Sequence, residues 1–400
     1  MNLDGERPLR VLAADDSAVV RGIMRKLFQM HSEAPAPGLP LMDLCGTAED
    51  GQGCLEAAAR LRPDVLVLDL EMPKLNGLEV LDRLRKQSPG LPVIMCSSHT
   101  EFGARSTLEA LARGASDYVM KPSAQRDLAA ALQPLSQQLL PKIAALVQHR
   151  KCGGTRLHST AAANHKEPEA RSVPIEVVVI GLSTGGPSAL ENLLPRLPAS
   201  FAVPVLIVQH MPKLFTGALA ERLDRCCSLR VMQAYEGAPI TPGTIWLAPG
   251  DSHMEIAPRW SGFDVRDKAN SGRAARVKLH QQAPLNHCRP SVDYLFRSAA
   301  NIYGPGTLAL MMTGMGADGL DGACTVHQAG GTVLAQDEAT SAVWGMPGRV
   351  VEAGIARAVL PLQAIAGELR QRVAVGRSER SLSTEPLFGA LRREGTNGLL

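Results

Sequence analysis

Residues 177–190 read VVVIGLSTGGPSAL. A run of apolar, mostly branched residues gives way to Gly181-Leu182-Ser183-Thr184-Gly185-Gly186, and Pro187 then opens a segment with helical spacing. Apolar run, glycine turn and helix make one β–α unit of a parallel sheet, whose strands are buried on both faces and so read as continuous apolar text. The same grammar recurs around it. Strands are expected at IEVVVIGL, VPVLIVQH, TIWLAP, TLALMMTG and TVLAQD, with helices over 187–197, 215–226, 291–301, 319–329 and 361–373. Upstream, LRVLAADD (9–16), DLCGTA (43–48), DVLVLDL (64–70), LPVIMCSS (91–98) and SDYVMKP (116–122) alternate with helical stretches, a βα unit repeated five times. The last helix of that set starts near Gln125 and is interrupted by two prolines. The expected class is α/β in two domains: an N-terminal flavodoxin-like (βα)5 domain over 8–130 and a C-terminal doubly wound domain with a mostly parallel sheet over 174–372. A helix extension and polar linker fill 131–173, and 373–400 reads as a flexible tail.

Bulk properties agree. A chain of 400 residues exceeds one ordinary core. With 45% apolar and 20% charged residues it is globular in composition. A net charge of +3 is too weak to argue for nucleic acid or an anionic membrane. MNLDGERPLR lacks the apolar core of a signal peptide, and no run is long enough to span a bilayer, so a cytoplasmic protein with no membrane insertion is expected. The 8 cysteines contain no CxxC pair and read as reduced thiols, Cys226-Cys227 included, because a vicinal disulfide is strained.

In a parallel sheet, chemistry collects at the carboxyl ends of strands. Asp15 and Asp16 end the first strand and Asp69 ends the third, its neighbour in a flavodoxin-like order. Three crowded carboxylates raise one another's pKa unless a hard divalent cation, most simply Mg²⁺, sits among them. The fourth strand ends in Ser97-Ser98 and the fifth in Lys121-Pro122. A lysine and a hydroxyl facing carboxylates and a metal describe a phosphoryl-transfer site. Helix capping alone explains Asp16 or Ser17, but not Asp69 inside an apolar run or Lys121 at the matching strand end.

VLAADDS, VLDLEMPKLNG, CSS and DYVMKP, at these spacings, resemble the response-regulator receiver domain over about residues 8–130. The resemblance implies that Asp69 takes phosphate from a histidine kinase and that Asp15 and Asp16 hold Mg²⁺ with it. It also implies that Lys121 contacts the phosphoryl group, Ser97 senses it and Tyr118 is the aromatic switch. HSEAPAPGLPLMD is longer and richer in proline than the pattern needs, and is expected as a surface loop.

GLSTGG fails as a nucleotide cradle. It lacks G-x-G-x-x-G spacing and a Walker lysine, and the next strand ends in His210 instead of an acid. Ser183 and His210 end adjacent strands, about 4.8 Å apart in a sheet. A serine hydroxyl needs a base to become a nucleophile, and the base needs a third group to fix its tautomer. Asp318, in MTGMGADG just beyond the strand TLALMMTG, is placed to serve. The glycines would let backbone N–H groups approach an oxyanion, helped by the helix starting near Pro187. Each residue alone is explained as a cap, a turn or a core histidine; the three strand tips together are not.

IGLSTGGPSAL, VQHMP, APGDSHM, RPSVDYLF, TGMGADG and AQDEATS, in this order over about 175–370, resemble the CheB-type chemotaxis protein-glutamate methylesterases. The resemblance implies hydrolysis of glutamate γ-methyl esters on methyl-accepting chemoreceptors, deamidation of receptor glutamines, and no cofactor for the ester step. Ser183 is then the nucleophile, His210 the base and Asp318 the orienting acid, with Thr184 and the Met315 backbone as helpers around the oxyanion. An unphosphorylated receiver is expected to block the site, and the partners expected are a chemotaxis histidine kinase and the receptors, with the chain a monomer. Leu182 and Trp344 depart from the usual residues, and Leu182 is expected to alter the pocket.

His253 in APGDSHM is read as structural or at the pocket rim, SGRAARVKLH as a solvated basic strand face, and Met311, Met312, Met315 and Met346 as core packing. Two rivals are a receiver joined to a nucleotide-binding or oxidoreductase domain, which an acid at position 210 would favour, and a DNA-binding output, which needs a helix-turn-helix and a basic face.

Overall fold

A computed structural model describes residues 7–122, 128–152, 173–258 and 275–375. The first domain holds strands β1 (Leu9–Ala14), β2 (Met42–Ala48), β3 (Val65–Asp69), β4 (Val93–Ser97) and β5 (Asp117–Met120). Helices α1 (Ala18–Glu33), α2 (Gly51–Leu61), α3 (Gly77–Gln87), α4 (Glu101–Ala112) and α5 (Leu128–Cys152) alternate with them. The sheet is parallel in the order β2-β1-β3-β4-β5, the flavodoxin-like order that brings β1 and β3 together.

α5 runs unbroken through Pro134 and Pro141, where interruptions were expected. Each proline removes one helical hydrogen bond. Packing of Leu135, Leu139, Leu140, Ile143 and Val147, all at most 4% exposed, outweighs that loss. Of the stretch expected as a surface loop, 34–41 is a mostly exposed connection, while His31–Glu33 belong to α1 and Met42 and Asp43 to β2, where His31 and Met42 are buried. The helix extension expected within 131–173 is α5, and a helix over Leu362–Ala374 runs past the expected start of the tail at 373; the rest of the linker and tail readings fall on 153–172 and 376–400, outside the described residues.

The second domain is built on β6 (Val177–Leu182), β7 (Val205–Gln209), β8 (Arg230–Gln233), β10 (Thr244–Leu247), β13 (Thr307–Met311), β14 (Thr332–Gln336) and β15 (Ala358–Leu360), parallel in the order β15-β14-β13-β6-β7-β10-β8. A small antiparallel sheet adds β9 (Pro239–Ile240), β11 (His253–Pro258) and β12 (Ala275–His280). The helices are α6 (Gly186–Leu193), α7 (Lys213–Cys226), α8 (Val292–Tyr303), α9 (Leu320–Gln328), α10 (Met346–Glu352) and α11 (Leu362–Ala374).

β6 explains the opening run. Its residues are all buried, with Val178, Ile180 and Leu182 in one core layer and Val177 and Val179 in the other. Leu182 is therefore a core residue with no exposed surface, and the expectation that it shapes a pocket is corrected. Met311, Met312 and Met346 are likewise core. In β12, Arg276 pairs with Glu236 at 2.9 Å and Lys278 with Glu255 at 2.8 Å, so the basic face is answered by acids of its own domain.

The two domains meet along α4, which packs on α6 and α7. Tyr118 stacks on Phe215 with ring centroids 4.7 Å apart, Ser188 Oγ donates to the Leu111 carbonyl at 3.1 Å, and Arg105 pairs with Glu221 at 3.3 Å. No helix among the described residues is long and apolar enough to cross a membrane.

Candidate functional site

Two sites stand at the carboxyl ends of the two parallel sheets. In the first, ligand atoms of Asp15, Asp16 and Asp69 lie within 4.8 Å of one another. Lys121 Nζ lies 2.7 Å from Asp69 Oδ2 and 3.2 Å from Asp15 Oδ2. Those two carboxylate oxygens are buried and make no directed hydrogen bond, so the lysine charge is their main compensation. Burial pushes the Asp69 pKa up to about 6 against the pull of Lys121, and raises Asp15 too. Burial works against the charge on Lys121, but its two carboxylate partners prevail and raise its pKa. Orphaned, crowded carboxylate oxygens at a half-open strand edge are the donor set a hard divalent cation prefers.

Around this cluster the other expected residues take distinct positions. Ser97 is buried and turned to α4, donating to the Gly103 carbonyl at 3.2 Å and accepting from Thr107 at 2.7 Å. Tyr118 is 7% exposed and faces the second domain. Burial holds its phenol far above the usual range, so it stays protonated. Beside it, Asp117 takes an ion pair from Lys142 at 3.0 Å.

In the second domain, β6 lies between β13 and β7. Leu182 pairs with Gln209 across the sheet, so the next residues, Ser183 and His210, leave it side by side. Gln209 Nε2 donates to the carbonyls of both, at 2.9 and 3.2 Å, and ties the two tips together. Gly185 sits at φ +79, where a side chain is strained. Gly314 lies against the nucleophile candidate: a Cβ there would fall 2.9 Å from Ser183 Cβ and 2.4 Å from Met346 Sδ.

His210 Nε2 lies 2.8 Å from Asp318 Oδ2. Asp318 is 2% exposed, and Ser291 Oγ (2.6 Å), the Val292 N–H (2.7 Å) and Asn286 Nδ2 (3.2 Å) all donate to it. Burial favours its neutral form, but these donors and His210 prevail and hold its pKa below the usual range. Burial also works against a charged His210, yet Asp318 and Cys288 raise its pKa above that of an ordinary imidazole. The imidazolium–carboxylate pair is thus a stable state of the site, which is what a base must form after taking a proton.

With Nε2 committed to Asp318, Nδ1 is left for other partners, and its neighbour is Cys288 Sγ, at 3.6 Å. Ser183 Oγ makes no hydrogen bond among the described residues. The Thr184 and Met315 N–H groups likewise donate none among them. Both residues are nonetheless held by the first domain: Thr184 Oγ1 donates to Asp117 Oδ2 at 2.7 Å, and Met315 packs against the core that includes α5.

His253 is fully buried, accepts the Ser291 N–H at 3.2 Å and sits 3.2 Å from the Ala283 carbonyl. It is structural, as read, and it steadies the serine that supports Asp318. Sequence reasoning missed Ser291, Asn286, Gln209, Cys288 and Asp117. Ser291 carried a signal of another kind, since it also caps α8.

Residues 178–369 match the family described as CheB methylesterase, and residues 11–133 match the response regulator receiver domain. The protein-glutamate methylesterase/protein-glutamine glutaminase of Nocardioides sp. is 42% identical over 373 residues, covering 92% of this chain and 96% of its own length. The protein of the same name from Trichodesmium erythraeum is 41% identical over 368 residues, covering 91% of this chain and 99% of its own length. Among solved structures, the CheB methylesterase catalytic domain of Thermotoga maritima is 40% identical and covers 50% of this chain and 99% of that domain, with a TM-score of 0.46.

Proposed function

The chain belongs to the CheB methylesterase family, and from that premise we propose that Ser183, His210 and Asp318 are the catalytic triad of a phosphorylation-activated hydrolase. It demethylates glutamate γ-methyl esters on chemoreceptors, releasing methanol, and deamidates specific receptor glutamines during chemotactic adaptation.

The observation that carries the triad is the 2.8 Å bond between His210 and the deeply held Asp318, next to Ser183 on the adjoining strand tip. Ser183 Oγ attacks the ester carbonyl while His210 Nδ1 takes its proton. Asp318 stabilises the imidazolium through Nε2–H. The oxyanion develops against the N–H groups of Thr184 and Met315, preset for it by the glycine-bearing loops. Collapse expels methoxide, which leaves as methanol with the proton from His210. Water activated by the same nitrogen then frees the glutamate and restores Ser183. With glutamine the leaving group is ammonia.

Asp69 accepts the phosphoryl group from a chemotaxis histidine kinase. Asp15, Asp16 and Asp69 would hold Mg²⁺, which supplies charge neutralisation at the phosphoryl oxygens when bound. Lys121 contacts the phosphoryl group, while Ser97 and Tyr118 carry the change to the domain interface. The contacts of Thr184 and Met315 with the first domain support a receiver that covers the oxyanion side until phosphorylation releases it. The working division is receiver 8–130, extension and linker 131–173, esterase 174–372 and tail 373–400, in a monomeric cytoplasmic protein. Methanol release from methylated receptor membranes, with and without a small phosphodonor, tests this reading. A phosphodonor-stimulated release supports it, and release indifferent to the phosphodonor removes the regulatory half.

A further inference from the structure

Cys288 takes no part in the chemistry above, yet its sulfur stands 3.6 Å from His210 Nδ1. Among the described residues, two groups of side chains could hold a metal ion. One is the receiver's all-carboxylate cluster. The other is His210, Cys288 and Asp318, whose ligand atoms lie within 4.8 Å of one another. The two donor sets differ in kind. Carboxylates alone suit a hard cation such as Mg²⁺, whereas sulfur and imidazole nitrogen suit a borderline transition metal such as Zn²⁺.

We propose that Cys288 Sγ and His210 Nδ1 form a binding site for a borderline divalent transition-metal ion of the Zn²⁺ kind, which blocks ester hydrolysis. The geometry needs little adjustment. Tetrahedral zinc with ordinary Zn–S and Zn–N bonds places those two donors about 3.6 Å apart. The pair already has that separation.

The outer shell is in place as well. A metal-bound histidine usually donates its second N–H to a carboxylate, which fixes the ring. Here Asp318 faces Nε2 at 2.8 Å and is itself held by Ser291, Asn286 and Val292. His210 is 13% exposed at its side chain, and Cys288 is half-buried, so solvent reaches the pair. On binding, the thiol proton leaves to solvent, sulfur and Nδ1 each give an electron pair to the metal, and the remaining ring proton stays on Nε2. Two coordination positions stay open to water. The nitrogen that would take the Ser183 proton is then occupied. Inhibition, unlike binding, rests on His210 being the general base.

The test uses the full chain with excess Mg²⁺ to fill the receiver cluster, and Co²⁺ as a spectroscopic stand-in for Zn²⁺. We expect one equivalent of Co²⁺ to produce a sulfur-to-cobalt charge-transfer band that Zn²⁺ abolishes. Zn²⁺ should stop phosphodonor-stimulated methanol release over the same range, and a zinc-selective chelator that leaves Mg²⁺ in place should restore it. Cys288→Ser and Cys288→Ala should lose the band and need at least about tenfold more Zn²⁺ for the same fractional inhibition. Each variant is referred to its own metal-free rate, which also shows that it folds. The same band and the same inhibition in both variants would overturn the site. A Cys288-dependent band with undiminished methanol release would uphold the site but overturn the inhibition, and with it His210 as the base.

Discussion

Thr184 Oγ1 donates a 2.7 Å hydrogen bond to Asp117 Oδ2. It joins the residue after the proposed nucleophile to the last strand of the receiver. Asp117 is also gripped by Lys142, and its neighbour Tyr118 stacks on Phe215 of the second domain. The strand that carries Lys121 at its end therefore carries, four residues earlier, the acceptor that holds the catalytic loop.

Asp117→Ala removes that acceptor. Methanol release by the unphosphorylated chain should rise severalfold, within the roughly 5–150-fold range of ordinary allosteric coupling, and phosphodonor stimulation should shrink to match. A fragment starting near residue 173 should outpace the unphosphorylated full chain for the same reason. Parallel initial-rate assays check both. An unchanged Asp117→Ala rate would show that the bond is no part of the restraint.

Asp69→Asn should abolish stimulation by a small phosphodonor, because a neutral carboxamide is too weak a nucleophile to take the phosphoryl group. Chelating Mg²⁺ should abolish it in the wild-type chain, since the single charge of Lys121 cannot by itself offset three crowded carboxylates and an incoming phosphoryl group. On the proposed triad mechanism, chelation should not slow the fragment.

The pH profile follows from His210. Its pKa is raised above the ordinary imidazole value, so kcat/KM should climb as pH rises past about 6.5 and level off only once the imidazolium has lost its proton. Asp318→Asn removes the main support for the charged ring and leaves burial, which opposes it. The apparent pKa should then fall and the plateau rate should drop by orders of magnitude. The stability sign is the reverse of the activity sign. A raised histidine stabilises the fold fully below about 6.5, and that contribution fades as pH rises through the folded-state value. Rate profiles and thermal melts across pH on the same two proteins check both.

Gly314→Ala should damage catalysis more than folding. The added methyl would meet Ser183 Cβ at 2.9 Å and Met346 Sδ at 2.4 Å. The flexible methionine can yield, but the serine must move. A misplacement of about 1 Å costs up to about a hundredfold in rate, so a smaller shift of Ser183 should lower kcat by less than that, and kcat on a methylated receptor measures it.

Ser183, His210, Asp15, Asp69 and Lys121 were legible because each breaks or ends an apolar run, and a parallel sheet gathers such ends at one edge. The flavodoxin-like order of the first sheet was legible too, whereas in the second only the adjacency of β6 and β7 was. What escaped lies where no period exists. β9 has two residues and β11–β12 is antiparallel, so the βα rhythm says nothing of them. Cys288 and Asn286 sit in an irregular loop, and Ser291 was masked by its capping role. Asp117 was invisible for another reason: its partner Thr184 is 67 positions away, across a domain boundary. Leu182 was misjudged as a pocket residue because alternation along β6 turns it into the core. The prolines of α5 were over-weighted, since tertiary packing of its apolar face overrides the local cost.

Single-turnover methanol release by the phosphodonor-treated full chain and its Ser183→Ala variant, on methylated receptor membranes, bears on the triad itself. The variant should release methanol roughly 10⁴–10⁶-fold more slowly while still binding the receptor and accepting phosphate. Release within tenfold of the wild-type rate would contradict Ser183 as the nucleophile and end the triad assignment.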